Sequence, residues 1–297
     1  MNATRSRRSG LRLALALSVA FVPHEASAAY SCSVAVTSIS TVYSPTVPTA
    51  NESTGSYTIT CSRLGSDPDT LDYTLDADNG THAQGNNNRV QFGGAANRYF
   101  YEPYRNPGCN GEWRNTNATD INGTLSFGGS LIATATAPFY LCVPGSQPVD
   151  PAGTYTDTIG VTLRREQPGP DPLLATTTFG VSVITLNSCQ ISAAPGPITF
   201  NYTSFQGAPA IASNSFGVRC TTGLSYSMSL DATNVLDNAV NLNYALSVST
   251  PSATGTGVTQ TFAVSGTMPG GQSGLCGGGA CTNATATNKT RTLTITY

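Results

Sequence analysis

The sequence predicts an all-β protein of two β-sandwiches in tandem, the second of them incomplete by one last strand. Three observations carry this expectation. A cysteine-anchored strand pattern occurs twice; many short stretches alternate apolar with polar residues at a period of two, with no long helical periodicity. A further alternating stretch, residues 176–186 (TTTFGVSVITL), follows the first copy and has no counterpart after the second, where the sequence stops at Tyr297. An unpaired sheet edge is a template on which another polypeptide adds a strand. The residues alone therefore point to a subunit of an assembly.

Residues 1–28 read as an export signal. Arg5, Arg7, Arg8 and Arg12 precede an apolar run over 13–22, and Ala26-Ser27-Ala28 is a small-residue cleavage site. The mature chain is expected to begin at Ala29. Ser6-Arg7-Arg8 resembles a twin-arginine signal, but Gly10 stands where an apolar residue is usual, which favours the general secretory route. No later run approaches the ~20 apolar residues that a spanning helix needs. The expected units are a signal (1–28), a first domain (29–187) that includes strand 176–186, and a second domain (188–297), both long enough to bury a core.

The eight cysteines all follow the signal, four in each half: Cys32, Cys61, Cys109 and Cys142, then Cys189, Cys220, Cys276 and Cys281. In an exported chain an even count reads as disulfides rather than as a metal or redox site. The signal holds four of the fourteen basic residues and, in Glu25, one of the sixteen acidic ones, leaving ten against fifteen. That balance argues against nucleic acid as a partner, because phosphate binding needs basic patches. Thr, Ser, Asn, Gly and Ala dominate instead, as in secreted β proteins.

Each copy opens on Cys32-Ser33-Val34 or Cys189-Gln190-Ile191, continues through SYTITC (56–61) or SFGVRC (215–220), and then reads YTLD (73–76) or YSMSLD (226–231). Pairing Cys32 with Cys61 and Cys189 with Cys220 would close loops of about 30 residues, each stabilising by roughly 3 to 4 kcal/mol in the chain-entropy model. Cys109 with Cys142 and Cys276 with Cys281 would then follow, although the sequence itself leaves connectivity open. Residues 154–163 (TYTDTIGVTL) and 288–297 (NKTRTLTITY) close the two copies as long strands. The proline-rich 167–174 (QPGPDPLL) reads as a turn or linker, and the glycine-rich 266–280 as a loop.

These residues resemble the spore coat protein U family, which includes the Csu-type subunits of archaic chaperone-usher pili. The resemblance lies in Cys32 with Cys61, in 99–113 (YFYEPYRNPGCNGEW), and above all in Gly153-Thr154-Tyr155-Thr156-Asp157-Thr158. The second copy joins it through Cys189, Cys220, Leu242-Asn243-Tyr244 and its closing strand, without a counterpart of Trp113. The resemblance implies immunoglobulin-like sandwiches that are incomplete until a periplasmic pilus chaperone, and then the donor strand of the next pilin subunit, completes them at an outer-membrane usher. Leu293, Ile295 and Tyr297 would be the docking strand. Shaft subunits carry a donor strand before their first cysteine, whereas only Ala29, Tyr30 and Ser31 stand before Cys32, and strands typically need five or six residues. The expectation is a two-domain tip adhesin at the cell surface, attaching to an abiotic or host surface. The alternative is a structural subunit of a pilus shaft or extracellular coat.

Phe179, Val181 and Val183, with Thr185, project to one face of 176–186, which is expected to complete the first domain in cis; the alternative makes it the first strand of the second domain. Apolar loop tips are the candidate surface contacts: Tyr43 and Val47 in YSPTVP, Leu131, Ile132 and Phe139 in LIATATAPF, and Leu173 with Leu174. Tyr99, Phe100, Tyr101 and Tyr104 offer rings for a sugar, though a strand with one buried face explains them as well. Asp67, Asp69, Asp72, Asp76 and Asp78 lack the spacing of a calcium loop, so no metal or cofactor is expected. His82 is the one histidine after the signal and sits in no catalytic motif, which leaves a carboxylate pair as the only enzymatic option; the chain is not expected to be an enzyme.

Overall fold

The computed structural model describes residues 30–94, 96–114, 119–168, 170–275, 280–282 and 290–297, with 280–282 described by their backbone. The expected signal and its cleavage site lie outside the described residues. The N-terminal half carries β1 (Ser31–Val36), β2 (Ile39–Tyr43), β3 (Asn51–Ser62), β4 (Thr70–Ala77), β5 (Asn88–Gln91), β6 (Arg98–Asn106), β7 (Asn110–Glu112), β8 (Ile121–Ser126), β9 (Ile132–Val143), β10 (Gly153–Arg165) and β11 (Leu173–Thr185). The C-terminal half carries β12 (Cys189–Ala193), β13 (Asn201–Thr203), β14 (Ala210–Cys220), β15 (Ser225–Leu230), β16 (Asn234–Asp237), β17 (Leu242–Val248), β18 (Ser252–Thr254), β19 (Gln260–Met268), β20 (Ala280–Thr282) and β21 (Leu293–Thr296). No helix occurs among the described residues, and the fold is all-β.

Period-two patterning explains the strands directly. Along β3, Gly55, Tyr57, Ile59 and Cys61 turn inward while Thr54, Ser56, Thr58 and Thr60 alternate with them. On the outer face the hydroxyls of Thr58 and Thr136 (2.9 Å) and of Thr60 and Thr134 (3.0 Å) pair across to β9, a cross-strand contact of the kind that stabilises sheets. The N-terminal strands form one continuous path, β1-β3-β9-β6-β5-β10-β11-β2, with β4 and β8 joined through β10. β6 passes between layers, pairing β5 from Arg98 to Tyr101 and β9 from Glu102 to Tyr104. On the opposite side β1 lies antiparallel to β3 while β2, directly after it, runs parallel to β11. Both sides of this sandwich are thereby bridged, with β1 and β2 at the two ends of the path.

Trp113 is the centre of the N-terminal core. Its ring lies 5.3 Å from Phe139 and 6.3 Å from Phe179, and Nε1 donates to the Leu75 carbonyl at 2.8 Å. The C-terminal half has a second core around Phe200, Phe216, Met228, Tyr244 and Val264. The register repeats: Cys32 stands opposite Cys61 and Cys189 opposite Cys220, and each pair is disulfide-bonded. A third bond joins Cys109 to Cys142. Cys276 and the side chain of Cys281 lie outside the described residues.

Several sequence expectations need correction. Residues 132–139 are not a loop but the first part of β9, paired with β3 throughout, and Phe139 is fully buried because its ring fills the space beside Gly55. Tyr43 is also buried, its hydroxyl donating to the Pro144 carbonyl at 2.6 Å. Neither side chain reaches a surface. Leu173 and Leu174 open β11 rather than ending a linker, so that strand starts three positions before 176. Residues 266–268 belong to β19, and the glycine-rich loop begins after them.

Glu102 makes the stability of the N-terminal half depend on pH. Its Oε1 accepts from the Asn88 N–H (3.1 Å) and pairs with Arg114 (2.9 Å), but buried Oε2 has no partner. Burial outweighs those two attractions and raises its pKa from 4.5 to about 7. Burial also raises Asp120 to about 6. Because the folded carboxyls hold their protons more tightly than the unfolded ones, this contribution is complete below the unfolded pKa and is lost as pH rises through the folded value. Melting followed by the fluorescence of Trp113, the single tryptophan, is therefore expected to shift upward between pH 7.5 and pH 5, and Glu102→Gln should flatten the profile. A midpoint that climbs with pH over that interval would contradict the assignment.

Candidate functional site

Four segments meet at the end of the N-terminal half that lies away from the C-terminal half: Tyr30, the β3–β4 loop, the β8–β9 loop and the β10–β11 turn. Arg63 ties them. Its Nη1 donates to the Asp67 carbonyl (2.6 Å), Nη2 to Asp69 Oδ1 (2.7 Å) and Nε to the Ser130 carbonyl (3.0 Å). The guanidinium also sits 5.3 Å over the Phe127 ring, which stacks at 5.9 Å on Tyr30, and the Arg165 guanidinium lies 5.2 Å over the Tyr30 ring. Cation–π and ring contacts of this kind contribute roughly 0.5–1.5 kcal/mol each. On this braced platform stand Leu64 (61% exposed), Leu131 (55%), Ile132 (64%) and Leu173 (58%).

Of the predicted surface residues, Leu131, Ile132 and Leu173 are thus brought to one pole, and Leu64 joins them without having been singled out. Leu174 is half-buried against the core. Val47 lies at the opposite end, on an open groove of about 410 Å³ that Val42, Pro45 and Leu186 also line. Phe179, Val181 and Val183 are buried in the N-terminal core on β11, which pairs with β10 from Gly153–Thr185 to Leu163–Ala175. The rings of 99–104 alternate: Tyr99 and Tyr101 are fully buried, and Phe100 lies under the Arg89 guanidinium at 4.2 Å.

In the C-terminal half β21 pairs with β15, Met228 opposite Ile295 and Leu230 opposite Leu293. The same geometry links β4 and β10 in the first half. There β10 has a second neighbour in β11; the far edge of β21 has none among the described residues. Leu293 and Ile295 are half-buried against the second core and Tyr297 is exposed.

The Gly153–Thr158 motif builds the interior rather than a binding surface. Buried Asp157 accepts at Oδ1 from the Thr81 N–H (2.9 Å), the His82 N–H (3.2 Å) and the Thr81 hydroxyl, contacts His82 Nδ1 (3.1 Å), and accepts at Oδ2 from the Tyr101 hydroxyl (2.7 Å). Gly80, at φ 73°, passes so close that a Cβ would lie 2.1 Å from Oδ2. Both Asp157 and the Thr81 hydroxyl face the same ring nitrogen of His82, so the three do not form the relay in which a nucleophile and an acid address opposite nitrogens. Asp78, from the aspartate-rich stretch, accepts from Gly80 N (2.8 Å) and Gly160 N (2.9 Å) as an ordinary turn. Glu52 lies beside Cys109 and Cys142, but those sulfurs are disulfide-bonded and Glu52 Oε2 accepts from the N–H groups of Gly108 (2.6 Å) and Cys109 (2.9 Å).

The described residues thus combine a β-sandwich, a braced apolar pole and, on β21, a strand edge without a neighbour among them. The Spore Coat Protein U domain matches residues 18–162 and 175–250, and the chain belongs to that family. No curated protein sequence matches it significantly. Among solved structures, the CupB6 tip adhesin from Pseudomonas aeruginosa is similar at 10% identity, over 90% of this chain and 94% of that one, with a TM-score of 0.37. CfaE, the adhesive subunit of CFA/I fimbria of enterotoxigenic Escherichia coli, is similar at 11% identity over 66% and 75%, with a TM-score of 0.24. The PapD-like domain 7 of human CEP192 shows 12% identity over 52% and 84%, with a TM-score of 0.26.

Proposed function

We propose that this chain is an exported subunit of a chaperone-usher pilus and acts as its tip adhesin, with the C-terminal half accepting a donor strand and the N-terminal half holding a surface. The observation that carries this reading is the contrast between equivalent strands: β10 is flanked by β11, whereas β21 has no neighbour at that position among the described residues. Supplying the neighbour in trans by main-chain pairing is strand addition. A periplasmic chaperone would cover the edge first, and the donor strand of the next subunit would replace it at the usher. The N-terminal half, already closed by β11, has no such vacancy and is free to present Leu64, Leu131, Ile132 and Leu173 to an abiotic or host surface by apolar contact.

Gold labelling of the N-terminal half on intact fibres tests the position: label confined to fibre ends supports the reading, and label along the whole length makes the chain a shaft subunit. Replacing Leu131, Ile132 and Leu173 together by serine should lower attachment of cells to polystyrene about tenfold. Exposed substitutions of this kind usually change stability by within about 0.5 kcal/mol, so the Trp113 melting midpoint should stay put. Unchanged attachment with intact fibres would remove the pole from the mechanism.

A further inference from the structure

Both halves end in the same pair of loops, and the sequence repeat that builds them is Pro144-Gly145-Ser146-Gln147 and Pro269-Gly270-Gly271-Gln272. In the first, Val47 N donates to the Ser44 carbonyl (3.2 Å) and Ser146 N to the Val47 carbonyl (3.0 Å); in the second, Gln206 N donates to Thr203 (3.0 Å) and Gly271 N to Gln206 (2.7 Å). Ser146 and Gly271 share the left-handed backbone, at φ 57° and 81°. The Gln147 amide brackets the backbone of Phe100, accepting from its N–H (2.7 Å) and donating to its carbonyl (3.0 Å), and Gln272 does the same to Asn243 (2.8 and 2.9 Å). Each Nε2 also reaches the proline carbonyl of its own loop at 3.1 Å. The two poles are therefore equivalent residue by residue.

In the N-terminal half that pole is occupied by the rest of the chain. Leaving β11, the backbone crosses 186–188, enters β12 at Cys189, and the C-terminal half is seated where the Thr222 hydroxyl donates to the Val149 carbonyl at 2.7 Å. Gly257 abuts the same carbonyl so closely that a Cβ would lie 2.5 Å from it. By the correspondence, Thr46, Val149 and Asp150 become Phe205, Gly274 and Leu275. The second pole is uncovered among the described residues and carries large apolar side chains where the first has Thr46 and Asp150: Phe205 is 71% exposed and Leu275 70%. Phe205 is also held at φ 59°, with its N–H bound to the Gln272 carbonyl at 2.8 Å. A bulky residue in the left-handed region is a strained outlier. Among the described residues, exposure and strain thus fall on one and the same side chain.

We infer that this pole is the seat for the body of the next subunit: a domain of this same fold, joined to its donor strand by a linker as short as 186–188, that lays the counterparts of Thr222 and Gly257 over Gly274 and apolar side chains over Phe205 and Leu275. The inference rests on the reading that β21 accepts a donor strand, and adds a body-to-body contact to it. The junction between the two halves of this chain is then the template for every subunit contact below it.

Photocrosslinking in fibres made by cells expressing the full chain tests the contact. p-Benzoylphenylalanine in place of Phe205 should yield adducts to a neighbouring Spore Coat Protein U domain, in the loops that correspond to 220–224 and 255–258. The same probe at Tyr297 reports the donor strand independently. Adducts at 297 but not at 205, or adducts at 205 that map elsewhere, overturn the seat and leave strand acceptance standing; adducts at neither position overturn both. Phe205→Gly separates contact from folding, because glycine relieves the left-handed strain. It should leave the melting midpoint of the C-terminal half equal or higher while fibres dissociate at lower denaturant. Fibres of unchanged resistance would also overturn the seat.

Discussion

Replacing Asp157 by alanine is expected to destabilise the N-terminal half by about 3–5 kcal/mol, because several donors lose their acceptor at once and each one left buried and unsatisfied costs about 1–3 kcal/mol. The change strands the N–H groups of Thr81 and His82 and the hydroxyls of Thr81 and Tyr101, all of which now end on one carboxylate. Tyr101 is fully buried, so its hydroxyl does not reach bulk solvent. For a unit of this size a loss of that order lowers the melting midpoint by roughly 6–20 °C. Trp113 fluorescence reads it, because the ring lies in the same core. A midpoint within two or so degrees of the parent would mean that the loop carrying Thr81 and His82 finds other partners.

Phe179→Ala should have a similar effect, about 3–5 kcal/mol for truncating a buried aromatic, and it also decides where β11 belongs. Phe179 stacks on Trp113 with ring planes only 9° apart and meets Phe139 edge-on at 5.2 Å. A strand that completes the N-terminal half must lower the Trp113 transition when this ring is lost. If that transition is unmoved and only the C-terminal half melts earlier, the strand belongs to the second half and the first is the incomplete one.

The strands were legible because alternation at period two survives without neighbours: SYTITC and SFGVRC declare their inner faces unaided. LIATATAPF misled because alanine and threonine carry little contrast and Pro138 argues against a strand. β9 admits that proline where it has a single neighbour, since β6 pairs with it only from Tyr140 to Cys142. Phe139 therefore reads as a tip residue in the sequence although its ring is buried, and Tyr43, beside a proline-rich turn, does the same. The pole itself was half legible. Leu131, Ile132 and Leu173 could be named from apolar content, but Leu64 joins them through Arg63, whose Nε reaches the Ser130 carbonyl from far away in the sequence. The Pro-Gly-x-Gln repeat stood in plain sight, yet its meaning lies in a side-chain amide that imitates a strand, and periodicity cannot show that.

The course of β11 also sets how the chain carries mechanical load. Its first residue lies at the apolar pole and its last at the junction, so tension between the two ends of the molecule runs along the strand axis. Antiparallel ladder bonds lie across the strands, and those from β11 to β10, together with the parallel ladder to β2, would have to shear together instead of peeling one at a time. Past the short linker, tension enters the C-terminal half at Cys189, which is covalently bound to Cys220 on the adjacent strand. Pulling would therefore meet a broad shear joint and then a crosslink.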